Sequence, residues 1–223
     1  TTAAFVHLDS KGDRSFSFFR KPGADMMFSE ADIDYDIIKK SKVFHFGSIS
    51  MTNEPSKGAT LAAVKFAKEN GLIISYDPNY RPPLWESPEA ARRNMTIGLE
   101  YADILKVSED DLKIILRIDN IKAAADMLYN MGIKVVLITL GAEGCYYKYK
   151  AGEGLVKAYA TKAVDTTGAG DSFLGGVLYH LADINLNDIN NIPKERFENI
   201  IDFANAIGSL TITKKGAIPS MPT

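Results

Sequence analysis

Several short runs in this chain are apolar at successive positions rather than at alternate ones. They are Val43-Phe44-His45-Phe46, Leu72-Ile73-Ile74-Ser75-Tyr76-Asp77, Ile104 to Val107 and Val135 to Leu140. A strand patterned this way has no polar face to turn to water, so other elements must cover both of its faces. The intervening segments supply that cover. Pro55 to Asn70 reads as an amphipathic helix with Leu61, Val64, Ala67 and Lys68 on successive turns, and Gly71 stands just past its end. Ser87-Pro88-Glu89 is a helix start, with a Ser cap, Pro in the first turn and an acid at the positive end of the dipole. Ser108 to Leu116, Ile121 to Asn130, Gly170 to Leu181 and Lys194 to Ile212 give the remaining helices. This alternation predicts an α/β fold, a mainly parallel central sheet flanked by helices.

Two further β-rich runs, Cys145 to Lys150 and Leu155 to Ala160, flank a turn at Ala151-Gly152-Glu153-Gly154. At the start, Phe5 to Asp9 and Arg14 to Phe19 read as a hairpin about the turn Ser10-Lys11-Gly12-Asp13. No Met, leader or capping pattern precedes it, so the chain reads as starting part-way through a longer protein. No repeat or linker divides the 223 residues, and one α/β domain over 1–223 is expected. The formal net charge of -2 gives no reason to expect nucleic acid or an anionic membrane as partner. The apolar runs are too short to span a bilayer. A single cysteine, Cys145, excludes a disulfide framework, and His7, His45 and His180 have no metal spacing. A cytoplasmic protein is the expectation. Cys145 and His45 read as core or near-core residues.

In sheets of this kind, ligands sit outside the carboxyl ends of the strands. The most informative segment at such an end is Asp165-Thr166-Thr167-Gly168-Ala169-Gly170-Asp171, followed by helical Ser172-Phe173-Leu174. Small residues let backbone N–H groups approach an anion, and the helix start adds unpaired donors and partial positive charge. Asp171 beside such a hole could accept the proton of a hydroxyl attacking phosphorus. Gly-Ala-Gly-Asp alone fits equally an Asp decorating a helix start, whereas the seven-residue string is far more specific. Other nucleotide folds fail on sequence. The chain has no Gly-Lys dipeptide for a P-loop, Gly141 to Gly144 lacks the dinucleotide fingerprint, and protein-kinase signatures are missing.

The seven-residue string resembles the C-terminal signature of the ribokinase-like (PfkB) carbohydrate kinases, and the resemblance runs from about Ala4 to the last residue. Within that family, Phe16-Ser17-Phe18-Phe19-Arg20-Lys21-Pro22-Gly23-Ala24-Asp25-Met26 is similar to fructokinases. Asp77-Pro78-Asn79-Tyr80-Arg81-Pro82-Pro83-Leu84-Trp85 is shared with 2-keto-3-deoxygluconate kinases. The resemblance implies a ribokinase-like sandwich with part of a small β lid, to which the hairpin at 4–20 contributes. It implies ATP-dependent phosphorylation of a sugar primary hydroxyl, fructose to fructose 6-phosphate, with ribose and 2-keto-3-deoxygluconate as alternative sugars. A non-catalytic nucleotide- or sugar-binding module is the reading from another class. The family's earlier sugar-gripping region has no counterpart in these residues.

Residue by residue, the resemblance makes Asp171 the catalytic base and the amides of Gly168, Ala169 and Gly170 the anion hole. Thr139, Gly141 and Gly144 fall in the family's nucleotide loop, and Asn205 stands beside the adenine position. Asp165, Thr167, Thr211, Lys214, Gly216 and Ser220 match a K⁺ site built mostly of backbone carbonyls. Ser108 and Asp111 stand where the family often carries Asn and Glu, which organise water around Mg²⁺. Lid strands of the family often pair across a homodimer, and that expectation is inherited here. Arg20 either matches a substrate-contacting Arg of related sugar-acid kinases or is a solvent-facing charge at a strand end. Asn79 and Arg81 point toward the same crevice, Arg81 either holding sugar or phosphate oxygens or making a salt bridge that stabilises its loop. Trp85 reads as packing its loop down, and Lys106 as a structural lysine rather than a nucleotide contact.

Overall fold

Val135 and Leu137 on one side of their strand, and Val136 and Ile138 on the other, are all fully buried. The computed structural model, which describes residues 2–8, 14–185 and 188–222, shows how. Six strands lie in the order in which they occur along the chain: β3 (Val43–Gly47), β4 (Ile73–Asp77), β5 (Ile104–Ser108), β6 (Val135–Thr139), β7 (Cys145–Tyr149) and β8 (Gly152–Val156). The first four are parallel, and β7 and β8 close the sheet as an antiparallel meander. On one face α2 (Ser56–Glu69), α3 (Pro88–Leu99), α4 (Glu109–Ile115) and α5 (Ile121–Asn130) pack onto Ile74, Tyr76, Leu105, Val107, Val136 and Ile138. On the other, α6 (Ala169–Leu181) and α7 (Lys194–Thr211) pack onto Ile73, Ile104, Val135, Leu137 and Tyr147. Successive strand residues therefore enter different cores, and the absence of alternation follows from that.

Local chemistry sets the helix starts. The Ser87 hydroxyl accepts from Ala90 N at 3.1 Å, and Asn120 accepts from Ala123 N at 2.9 Å. The expected stripe on α2 is buried at Val64 and Ala67, whereas Lys68 leaves it and donates to Tyr101 O at 2.9 Å. A short α1 (Tyr35–Lys39), which the apolar pattern does not announce, is capped by Asp34 accepting from Asp36 and Ile37 N, both at 3.0 Å.

The amino ends of the strands are clamped by one residue. Asp103 N donates to Ile74 O at 2.8 Å, its Oδ2 accepts from Ile74 N at 2.9 Å, and its carbonyl accepts from Val135 N at 3.0 Å. Asp103 thus joins β4, β5 and β6 at the edge opposite the carboxyl ends.

Two sequence expectations need revision. The glycines at 152 and 154 lie inside β8 rather than in a turn, because Lys150-Ala151 alone reverse the chain. Gly154 pairs with Tyr147, and a Cβ there would stand 3.1 Å from the Tyr147 hydroxyl, so the missing side chain admits an aromatic ring. The run to Ala160 correspondingly ends as strand at Val156. At the other end, β1 (Ala3–Leu8) and β2 (Arg14–Phe19) form an antiparallel ribbon separate from the main sheet. The expected turn Ser10 to Asp13 between them lies outside the described residues.

Gly98 on α3 offers a test of the packing. A Cβ there would stand 2.7 Å from the buried Tyr76 hydroxyl, which donates to Met95 O at 3.0 Å. Gly175 on α6 has nothing within 4 Å of the same position. In urea unfolding, Gly98→Ala should cost about 1–3 kcal/mol through overpacking. Gly175→Ala should gain up to about 1 kcal/mol from helix propensity. A Gly98→Ala protein as stable as the parent would mean that α3 does not seat against Tyr76.

Candidate active site

The carboxyl ends of β3 to β6 bring Gly47, Asp77, Ser108 and Thr139 to one edge, and α6 begins beside them. Gly168 caps α6 at φ +83, a left-handed conformation that favours glycine. A Cβ on it would also press to 3.2 Å from the Ala217 side chain. The Asp165 carboxylate holds this loop to the closing segment. Its Oδ1 accepts from Thr167 N at 2.9 Å and Thr167 Oγ1 at 2.6 Å, and its Oδ2 accepts from Gly216 N at 2.9 Å. Ser220 Oγ donates to the carbonyls of Gly216 and Ala217, the latter at 2.7 Å. Asp165, Thr167, Gly216 and Ser220 therefore come together, and an oxygen-only donor set of one buried carboxylate and carbonyls suits a hard cation such as K⁺. Thr211 turns its hydroxyl inward, donating to Ile207 O at 2.9 Å and lying 3.0 Å from Ser172 Oγ, while Lys214 is exposed. Asp171 is exposed in the first turn of α6, where backbone amides lack intrahelical partners.

On the nucleotide-loop side, Thr139 Oγ1 donates to Val107 O at 3.3 Å, and Gly141, at φ +55, faces open space. Gly144, at φ +107, is buried against the chain after β8, where a Cβ would stand 2.7 Å from Ala158 N. Asn205 on α7 grips the same stretch, donating to Val156 O at 3.0 Å and Lys157 O at 3.2 Å. Its side chain braces the loop through the backbone.

Arg20, at the end of the ribbon, is buried. It donates to Asp25 Oδ2 at 2.7 Å, Thr52 Oγ1 at 2.9 Å and Ile49 O at 3.3 Å, and so ties the ribbon to the loop after β3. Asn79 takes φ +50, a turn conformation that Asn tolerates, and Arg81 donates to Tyr80 O at 2.9 Å. Both follow β4, and β2 lies against the turn Pro82–Leu84 beside them. Trp85 packs against the core from that loop.

Ser108 and Asp111 form a closed capping box. Asp111 Oδ2 accepts from Ser108 N and Oγ at 2.8 and 2.7 Å, and Oδ1 accepts from Tyr80 N at 2.8 Å. Asp111 is buried with both oxygens engaged, so this pair joins the β4 and β5 loops. Among the described residues, no group of three His, Cys, Asp or Glu could hold a metal ion.

Cys145 is buried, and burial pushes its thiol well above the usual range. His45 corrects its near-core expectation. It is exposed on the edge strand β3, with Nδ1 3.1 Å from Ser75 Oγ, although the surrounding protein strips enough water to hold its pKa below the usual value. Asp171 raises and Lys106 lowers that pKa electrostatically.

The residues that sequence reasoning left out of the site are Asp77 and Lys106. Lys106 Nζ donates to Asp77 Oδ2 at 2.9 Å, and both side chains are buried. Asp77 Oδ1 is buried with no hydrogen-bond partner. Burial pushes the Asp77 pKa up to about 6. Lys106 opposes the shift, and Asp111 and Asp171 add to it. Burial pulls Lys106 down, but Asp77, Asp111 and Asp171 together carry it above the usual lysine value. The two directions agree physically, because three carboxylates share one ammonium. The sequence signal was a lysine within Ile-Leu-Lys-Val-Ser, since a charge in a strand covered on both faces requires a partner.

The model of the pfkB family of carbohydrate kinases matches residues 1–223. This chain belongs to that family. It is 44% identical over 229 residues to the probable chloroplastic fructokinase-6 of Arabidopsis thaliana, all of the chain matching 58% of that protein's length. A solved double mutant of the fructokinase from Vibrio cholerae O395, with fructose, ADP and potassium ion bound, superposes at a TM-score of 0.88. That protein is 33% identical, and the match covers 100% of this chain and 70% of the other. The aminoimidazole riboside kinase from Salmonella enterica, complexed with its riboside and an ATP analogue, matches at 30% identity and a TM-score of 0.80. There the match covers 92% of this chain and 67% of the other.

Asp77 gives this site a pH signature. Its pKa, raised in the folded chain to about 6, lies above the unfolded value of about 3.9. The folded state therefore binds the proton more tightly, and the stability contribution falls as pH rises from about 4 to about 6. In urea unfolding across that window, the parent should lose about 3 kcal/mol relative to Asp77→Asn. A difference independent of pH would place Asp77 at an ordinary carboxylate pKa.

Proposed function

We propose that the protein containing this chain is an ATP-dependent fructokinase, making fructose 6-phosphate and ADP. The observation that carries the reading is Asp171, exposed in the first turn of α6 at the carboxyl edge of the sheet. Membership of the carbohydrate kinases supports it, as does likeness to a fructokinase solved with fructose and ADP. Asp171 takes the proton from the sugar's primary hydroxyl as its oxygen forms a bond to the γ-phosphorus. The bond from that phosphorus to the β–γ bridging oxygen breaks, and ADP carries away the electron pair. The amides of Gly168, Ala169 and Gly170, with the positive end of α6, stabilise charge on the transferred group.

The nucleotide enters as its Mg²⁺ chelate, packing along Thr139, Gly141 and the segment that Gly144 and Asn205 brace. Ser108, in its capping box, shapes the neighbouring loop. K⁺ held near Asp165, Thr167, Gly216 and Ser220, with backbone oxygens of Thr211 and Lys214, would order the anion-hole loop. Arg20 sets the ribbon against the site, and Asn79 and Arg81 face the sugar and phosphate side. The exposed Phe5 and Phe19 of the ribbon suit pairing across a homodimer. The cytoplasmic setting expected from the lone cysteine belongs to the same proposal; among the described residues, no helix is long and apolar enough to cross a membrane.

The test is ADP release with Mg·ATP and K⁺ on fructose, ribose, 2-keto-3-deoxygluconate, glucose and adenosine, using the full-length protein. Fructose should give the highest kcat/KM, and Asp171→Asn should lower turnover by about 100- to 10,000-fold with binding retained. Turnover confined to another sugar discards fructose and keeps the mechanism. Silence across the panel from folded protein favours a non-catalytic binding module.

A further inference from the structure

Gly168 and Gly170 flank the same anion loop, yet they are glycines for different reasons. Gly168 needs its positive φ. Gly170 has no such need. A Cβ placed on it would stand 3.0 Å from Lys106 Nζ and 3.4 Å from Cε, so its missing side chain leaves the space that the ammonium fills. Lys106 is buried there beneath the first turn of α6, a place of partial positive charge where a bare cation is disfavoured. What keeps it is the ion pair to Asp77 at 2.9 Å, with the fields of Asp111 and Asp171. Asp77 in turn leaves Oδ1 buried and unpartnered, a cost of order 1–3 kcal/mol that a merely stabilising pair would not need to carry. A hydrophobic pair of similar volume would often stabilise a fold as well or better.

We propose that Lys106, anchored by Asp77, is a positioning residue for phosphoryl transfer: its ammonium, seated under Gly170, fixes the first turn of α6 and hence Asp171 relative to the sheet. The inference rests on the kinase reading above. It gives the strand-end aspartate of Asp77-Pro78-Asn79 a task separate from sugar contact. It also makes the second glycine of the signature string a lysine seat.

The test uses the full-length protein and two substitutions, Lys106→Met and Gly170→Ala, alone and together. Each single change should lower kcat on fructose by about 100-fold through misplacement of Asp171. KM for fructose and ATP should stay within about threefold. The double variant should be no slower than the worse single one, since both act on one contact. A kcat for Lys106→Met within about twofold of the parent, or losses that multiply in the double variant, overturns the proposal.

A second readout needs no substrate. His45 senses both Lys106 and Asp171, so its imidazole titration, followed by NMR, should move upward in Lys106→Met. An unmoved His45 overturns the placement of the ammonium. If Lys106→Met does not fold, Gly170→Ala must shift the same titration by displacing Nζ, and no shift is again fatal. Parent protein silent on every sugar sinks the kinase reading instead, and the His45 titration still judges the lysine seat.

Discussion

Burial of the strands on both faces is the constraint from which the remaining structure follows. β4, β5 and β6 give alternate residues to two separate cores, so almost no position along them can carry polar chemistry. Polar residues are thereby driven to the strand ends, where loops turn into helices. At the carboxyl edge those loops are joined to one another rather than left independent. Tyr80 N bonds to Asp111, Ser108 closes the same capping box, and Asp165 spans from the α6 loop to Gly216. A helix N-terminus placed among such loops has its orphan amides directed at a site the sheet has already defined.

The exception inside the sheet is Lys106 with Asp77. One ammonium stands among Asp77, Asp111 and Asp171, all within electrostatic reach. Such a cluster has a fixed sense of attraction. The ammonium is favoured by all three acids, while Asp77 is penalised by the other two. The group that yields is Asp77: burial is the largest cause raising its pKa, and its Oδ1 has no hydrogen-bond partner, whereas Asp111, equally buried, has both oxygens engaged. Asp171, at the exposed end of the cluster, keeps access to solvent and ligand. Burial and hydrogen bonding together therefore sort chemically similar carboxylates into different tasks.

Much of the architecture was legible because its signals are local. The helix cap at Ser87, the helix Ile121–Asn130 and the strand ends near Asp77 and Ser108 follow from capping chemistry and apolar runs. The string from Asp165 to Asp171 marked the crevice because all seven residues are specific together, although small residues before an acid at a helix start also occur as plain helix decoration. Gly152 and Gly154 misled because glycine suits a turn and a close aromatic approach equally. The choice between them depends on Tyr147, which lies across the strand pair. His45 was misplaced because burial at a sheet edge depends on neighbours the strand does not encode. The Lys106–Asp77 pair joins residues 29 positions apart, and only the parallel pairing of β4 with β5 brings them together.

Asp103 gives the sheet two unlike edges. It clamps β4, β5 and β6 where they begin, through backbone and carboxylate together, while the opposite edge is held by loops and caps. The strands are thus hinged to a common baseline, and a molecule pressing on their far ends meets a plate that cannot fan open at its root. Compliance must then reside in the loops. Stiffness here is graded along the strand direction, from an anchored rim to a yielding one.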